Sequence, residues 1–201
     1  MDFLSGQELL EMCRKEQIPI SYAMRRREMT CGSLTDEEIT EKLDTVLKIM
    51  QNSATEPIKH PRKSIGGLLG GEAKKVNEQR EAGKNICGPT LSRAIAYSMA
   101  VLEVNATMGL IVAAPTAGSS GVLPGVLLAL KETHELSDEA IHNGLLNASA
   151  LGYILMRNAS VSGAEAGCQA EVGAASAMAA SAAVEILGGT PDMCMQAACF
   201  A

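Results

Sequence analysis

The sequence predicts an all-α fold: many helices, with glycine-rich loops between those that are buried. Three observations carry that reading. Helix start signals recur along the whole chain, and apolar residues follow them at three- and four-residue spacing. Strand evidence is confined to Leu110-Ile-Val-Ala-Ala114, with no alternation of strands and helices after it. The composition agrees: three Tyr, two Phe and no Trp stand against 19 Gly and 11 Met. A core built from such small side chains lets helix backbones approach closely.

The elements follow in order. Ser5-Gly-Gln-Glu8 is a capping box, followed by Leu9, Leu10 and Cys13 on one face. Thr35-Asp-Glu-Glu38 is a second box, and Ile39, Leu43, Val46, Leu47 and Met50 then recur at helical spacing, which predicts a helix over 36–51. Ser64-Ile-Gly-Gly-Leu-Leu-Gly-Gly71 is the first glycine-rich loop. Leu91 to Asn105 reads as an apolar helix carrying Arg93, Glu103 and Asn105, and Pro115-Thr-Ala-Gly-Ser-Ser-Gly121 is the second loop. Ser137 caps a helix whose first turn holds Asp138 and Glu139, favoured there by the helix dipole. Gly188-Gly189 ends a long Ala-rich helix, and Thr190-Pro191 begins another with proline at its first position. That last helix has run only about ten residues at Cys199-Phe200-Ala201, with no capping signal, so the chain is expected to be cut short at its C-terminus.

A chain of 201 residues suits one domain. Residues 53–71 are expected to separate a charged N-terminal helical layer (1–52) from a small-residue helical core (72–201). Residues 104–201 carry only Lys131 and Arg157 as basic groups, so the whole net charge of −6 falls there, in a half expected to be mostly buried. With that charge and almost no aromatic platforms, nucleic-acid binding is excluded. The longest apolar stretch, Ala94 to Pro115, is interrupted by Glu103 and Asn105, and no export signal precedes it. No membrane association is expected, and a cytoplasmic chain is. Six cysteines in such a chain read as thiols or metal ligands rather than disulfides, and no Cys-x-x-Cys pair occurs.

Two segments carry chemistry. In Ala113-Ala-Pro-Thr-Ala-Gly-Ser-Ser-Gly-Val-Leu-Pro-Gly125, a Gly/Ser loop enters a helix. Thr116, Gly118, Ser119, Ser120 and Gly121 offer backbone N–H groups, hydroxyls and a positive dipole end, together a seat for a carboxylate. A tight turn between buried helices explains the same spacing equally well. In Ser160-Val-Ser-Gly-Ala-Glu-Ala-Gly-Cys-Gln-Ala-Glu-Val-Gly173, Cys168 stands at the start of the Ala-rich helix, where a thiolate is favoured for metal ligation or nucleophilic attack. A packed core thiol is the alternative there, and it is the expectation for Cys194 and Cys199. Arg93 and Glu103 read as a snorkelling and a solvated side chain, although the segment could line a polar pocket. His60, His134 and His142 read as solvated. No lysine has the apolar, glycine-bounded setting of a pyridoxal phosphate Schiff base, so that cofactor is not expected.

The segments 114–124 and 163–173, with Leu91-Ser-Arg-Ala-Ile-Ala-Tyr97 onward and Ser64-Ile-Gly-Gly-Leu-Leu-Gly-Gly-Glu-Ala73, resemble the iron–sulfur-dependent L-serine dehydratase alpha chain, over nearly the whole sequence. The resemblance implies a lyase that converts L-serine to pyruvate and ammonia. It also implies a 4Fe–4S cluster held by three cysteines, whose open iron acts as a Lewis acid on the serine hydroxyl. Cys168 matches the first ligand. The family's other two follow this helix, and Cys194 and Cys199 do not match them. A serine dehydratase beta chain is implied as partner, and an oligomer is expected. The resemblance seats the substrate carboxylate in the Thr116–Gly121 loop and leaves the catalytic base unidentified. The rival expectation is a folded but non-catalytic helical fragment lacking the remaining ligands. A small-anion-binding module, resting on the Gly/Ser loop alone, is the third.

Overall fold

A computed structural model describes residues 2–201. Among them are ten helices and no strand: α1 (Gly6–Glu16), α2 (Ile20–Cys31), α3 (Asp36–Lys59), α4 (Glu72–Glu81), α5 (Gly88–Ala106), α6 (Val122–Thr133), α7 (Asp138–Asn158), α8 (Gly163–Ala166), α9 (Cys168–Ile186) and α10 (Pro191–Phe200). The all-α expectation holds, and Leu110–Ala114 is irregular coil. The caps stand where the sequence places them. The Thr35 box is reciprocal: Glu38 N donates to Thr35 Oγ1 at 3.2 Å, and Thr35 N donates to Glu38 Oε2 at 2.8 Å. Ser5, Ser137 and Thr190 accept from the third residue after them, at 3.2 to 3.3 Å. The helix expected over 36–51 runs on to Lys59 and takes Pro57 into its last turn.

The chain groups into two compact units. The first holds residues 1–45 and 137–201, the second 46–136. The stretch 53–71, expected to be a separator, lies wholly within the second unit, and the chain passes from one unit to the other inside α3.

In the first unit α7 packs against α2 and α9, and α9 packs against α10. Ile141, Leu145, Leu146 and Leu151 of α7 are buried, as are Ala174, Ala175, Ala179 and Ala182 of α9. A Cβ on Gly152 would lie 3.0 Å from Met178 Cε, the close approach that the small-residue composition predicts. The interior also holds a polar chain. Ser181 Oγ donates to Asn147 Oδ1 at 2.6 Å, and Asn147 Nδ2 donates to Glu185 Oε2 at 2.7 Å. Glu185 in turn receives Ser21 N at 3.3 Å. That last bond caps α2, whose own N-cap, Pro19, has no side-chain acceptor.

In the second unit α5 packs against α4 on one side and α6 on the other. Ala96, Ala100 and Val101 of α5 and Leu123, Leu127 and Leu128 of α6 are buried. Glycines let these two helices touch. A Cβ on Gly121 would fall 2.4 Å from the Ser98 carbonyl oxygen, and one on Gly125 would fall 2.0 Å from Ser98 Oγ and 2.8 Å from the Ala94 carbonyl oxygen.

Candidate functional site

The Gly/Ser loop is a tight turn leading into α6. Ser119 and Ser120 are buried, with exposures of 2% and 0%. Ser119 Oγ donates to the Ala114 carbonyl at 3.3 Å and lies 3.1 Å from Thr116 Oγ1, while Ser120 Oγ donates to the Ala117 carbonyl at 2.8 Å. Asn105 Nδ2 reaches the same Ala117 oxygen at 3.1 Å and ties the loop to the end of α5. The two hydroxyl protons therefore go to the loop's own carbonyls. Exposed on its rim are Ala117 and Gly118, whose N–H groups have no acceptor among the described residues. Gly121, the buried N-cap of α6, brings no side chain to that terminus, and Val122 N donates to the Ser119 carbonyl at 3.1 Å. The geometry combines a hydroxyl-stapled turn with backbone donors at its edge. The hydroxyls of Ser119 and Ser120 serve the turn, against the expectation that they face a ligand.

Cys168, in the first unit, is the first residue of the 19-residue helix α9 and is exposed. Gly167 before it takes φ +86°, a left-handed value that a side chain would strain. Cys194 is fully buried, as expected, and its thiol is pushed up to about 12 by burial and then by the Glu185 charge. Buried Cys13 is raised to about 11 in the same way. Cys199 corrects the expectation of a core thiol: it lies on the open side of α10 and is exposed. Among the described residues no group of three or more His, Cys, Asp or Glu side chains could hold a metal ion.

The apolar helix Leu91–Asn105 is the part of α5 whose polar groups the sequence read least well. Arg93 Nε lies 3.2 Å from Glu132 Oε2, and the Tyr97 hydroxyl donates to Glu132 Oε1 at 2.6 Å. Burial, followed by that bond, pushes the Tyr97 hydroxyl above its usual range. Glu103 is not solvated but 6% exposed. It accepts Gly71 N at 3.1 Å and Ala73 N at 2.8 Å, and so caps α4, whose N-cap Gly71 has no side chain to do it. A carboxylate near the end of an apolar helix was the available signal, but its partners lie 30 and 32 residues away. His142 is a second correction. It is 5% exposed, and its Nε2 lies 3.2 Å from Oδ1 of Asp44 on α3, within the same unit. His60 and His134 are exposed, as expected.

Comparison with known sequences decides the family. Residues 15–201 match the family model described as serine dehydratase alpha chain. The chain belongs to that family. Its serine dehydratase relatives include the L-serine dehydratase alpha chain of Peptoniphilus asaccharolyticus, 41% identical over 194 residues, which cover 96% of this chain and 66% of that one. The probable L-serine dehydratase alpha chain of Bacillus subtilis (strain 168) is 42% identical over 195 residues, covering 97% and 65%. The L-serine dehydratase of Mycobacterium tuberculosis is 36% identical over 208 residues, covering 98% and 44%. The chain thus spans about two thirds of the alpha chains it matches and under half of the longer relative. None of its described helices is long and apolar enough to cross a membrane.

Proposed function

We propose that this chain is the alpha part of an L-serine ammonia-lyase, which converts L-serine to pyruvate and ammonia together with a beta chain in the cytoplasm. The observation that carries the reading is the loop before α6. Its two exposed backbone donors, at Ala117 and Gly118 ahead of α6, suit a carboxylate, and they stand in a chain of the serine dehydratase alpha family. An α-carboxylate held by two N–H groups has its α-carbon fixed, and such positioning is a large part of any barrier reduction. Ser119 and Ser120 act indirectly, by stapling the loop so that the donors keep their places.

The cofactor belongs to the same proposal. Cys168 is exposed at a helix start and suits one thiolate ligand of a 4Fe–4S cluster. No group of three or more such donors stands together among the described residues, and on this reading the other ligands come from elsewhere. What the chain's own groups do is bind and orient the substrate. The missing donors also favour a second reading, a folded chain with no activity of its own. It predicts no pyruvate from the 201 residues alone even after anaerobic reconstitution with iron and sulfide.

The loop is tested in the assembled enzyme by Ser119→Ala and Ser120→Ala. Each removes a hydroxyl bond to a loop carbonyl, worth about 0.5–1.5 kcal/mol to the order of the loop, and is expected to raise the Michaelis constant for L-serine by up to about tenfold as the rim donors lose their places. An unchanged Michaelis constant in both would reduce the loop to a turn.

A further inference from the structure

The second unit contains a cavity that the loop does not account for. It lies between the C-terminal half of α3 and the C-terminal half of α5 and has a volume of about 260 Å³. That is below the roughly 300–1,000 Å³ of pockets for drug-sized ligands, and it suits a molecule of a few heavy atoms. Ser53, Glu56, His60 and Arg62 line one side, Glu103 and Thr107 the other. The wall therefore carries both signs of charge.

Glu103 gives the cavity its character. Its carboxylate is buried, each oxygen takes one backbone N–H, and no cation pairs with it among the described residues. A carboxylate oxygen has two acceptor sites, so each retains one, and a buried charge without a counter-ion is costly. The hydroxyls of the lining residues Ser53 and Thr107 spend their protons on helix carbonyls, Met50 at 3.0 Å and Val104 at 2.9 Å, so their oxygens keep acceptor capacity. This is an acceptor set for a group with three N–H donors. Arg62, in contrast, is exposed and has no ion pair among the described residues. Its guanidinium fork matches a carboxylate in bidentate fashion. One small molecule answers both ends, and it is zwitterionic.

We propose that this cavity binds a free α-amino acid, its ammonium at Glu103, Ser53 and Thr107 and its carboxylate at Arg62. The proposal rests on the serine dehydratase reading only for its choice of L-serine as the first ligand to try. Asn105, through its bond to the Ala117 carbonyl, ties the end of α5 to the Thr116–Gly121 loop.

The test is calorimetric titration of the 201-residue chain with L-serine, with 3-hydroxypropionate, which lacks the ammonium, and with ethanolamine, which lacks the carboxylate. L-serine is expected to bind, and each half-ligand to bind at least tenfold more weakly. Arg62→Gln changes an exposed side chain and is expected to weaken L-serine at least tenfold, as is Glu103→Gln. If Glu103→Gln does not fold, Arg62→Gln and the half-ligands still decide. Equal binding of L-serine by wild type and Arg62→Gln would overturn the proposal, as would no binding of L-serine, or binding of potassium or ammonium ion in its place. A parallel pyruvate assay on the assembled enzyme separates the two claims. Turnover in the assembled enzyme without Arg62-dependent binding of L-serine leaves the lyase standing and removes the cavity. Binding that depends on Arg62 without any turnover does the reverse.

Discussion

Replacing Glu103 by alanine tests how the second unit is held together. Glu103 accepts two backbone N–H groups that begin α4, from Gly71 at 3.1 Å and Ala73 at 2.8 Å. The two donors differ in what they lose. Ala73 is fully buried, so its N–H would be left without acceptor or water, whereas half-buried Gly71 can be hydrated. A lost bond to a charged group costs about 1.5–3 kcal/mol, and a lost helix cap about 1 kcal/mol. Relief from burying the carboxylate offsets part of this, which leaves about 2–3 kcal/mol of destabilisation. Glu103→Gln keeps one acceptor oxygen and should lose about half as much. Urea unfolding at pH 7 is the assay, with a lower midpoint and an unchanged slope, alongside faster hydrogen exchange at the Ala73 amide. A midpoint shift worth under about 0.5 kcal/mol in Glu103→Ala, with Ala73 exchange unchanged, would refute the trans-capping argument.

Other expectations follow from the same packing. Gly125→Ala should destabilise by about 1–2 kcal/mol, because the new methyl meets the Ala94 carbonyl oxygen at 2.8 Å as well as the Ser98 hydroxyl, and this overpacking outweighs the helix-propensity gain. Gly173→Ala, inside α9 with nothing within 4 Å, should instead stabilise by about 0.5–1 kcal/mol; the pair is read together by thermal or urea unfolding. At pH 8, iodoacetamide should label Cys31, Cys87, Cys168 and Cys199 in the native chain and spare Cys13 and Cys194, as mass spectrometry would show. Burial raises the two spared thiols to about 11 and about 12 from an ordinary 9.0. The unfolded chain therefore gives up these protons first, so stability should be level below about pH 8 and fall as pH rises from 9 towards 12; a flat profile over that window would contradict the burial argument.

What the sequence made legible was local. Ser5, Thr35, Ser137 and Thr190 each cap a helix through an N–H three residues on, so a short window contains the whole interaction. The small-residue composition likewise foretold the close helix approaches at Gly121, Gly125 and Gly152. What escaped was long-range. The start of α2 at Pro19 has no local cap, and its acceptor is Glu185, 164 residues from Ser21. Glu103 looked solvated because its partners lie on another helix, and His142 because Asp44 is nearly a hundred residues earlier. The site divided in the same way. The Gly/Ser loop and the start of α9 at Cys168 stood out by composition, whereas the burial of Ser119 and Ser120, their bonds to loop carbonyls and the cavity lined by Glu103 and Arg62 depend on how distant segments pack.

The central claim is that this chain works in a serine lyase through Cys168 and not through its other thiols. The most direct measurement is pyruvate formation from L-serine by the assembled enzyme, with iron content determined on the same samples, in wild type, Cys168→Ser and Cys199→Ser. Both cysteines are exposed, so neither substitution disturbs a core. A hard hydroxyl is a poor substitute for a soft thiolate on iron. The account predicts that Cys168→Ser loses iron and pyruvate formation together while Cys199→Ser keeps both. Full iron content and turnover in Cys168→Ser, or their loss in Cys199→Ser alone, would contradict it.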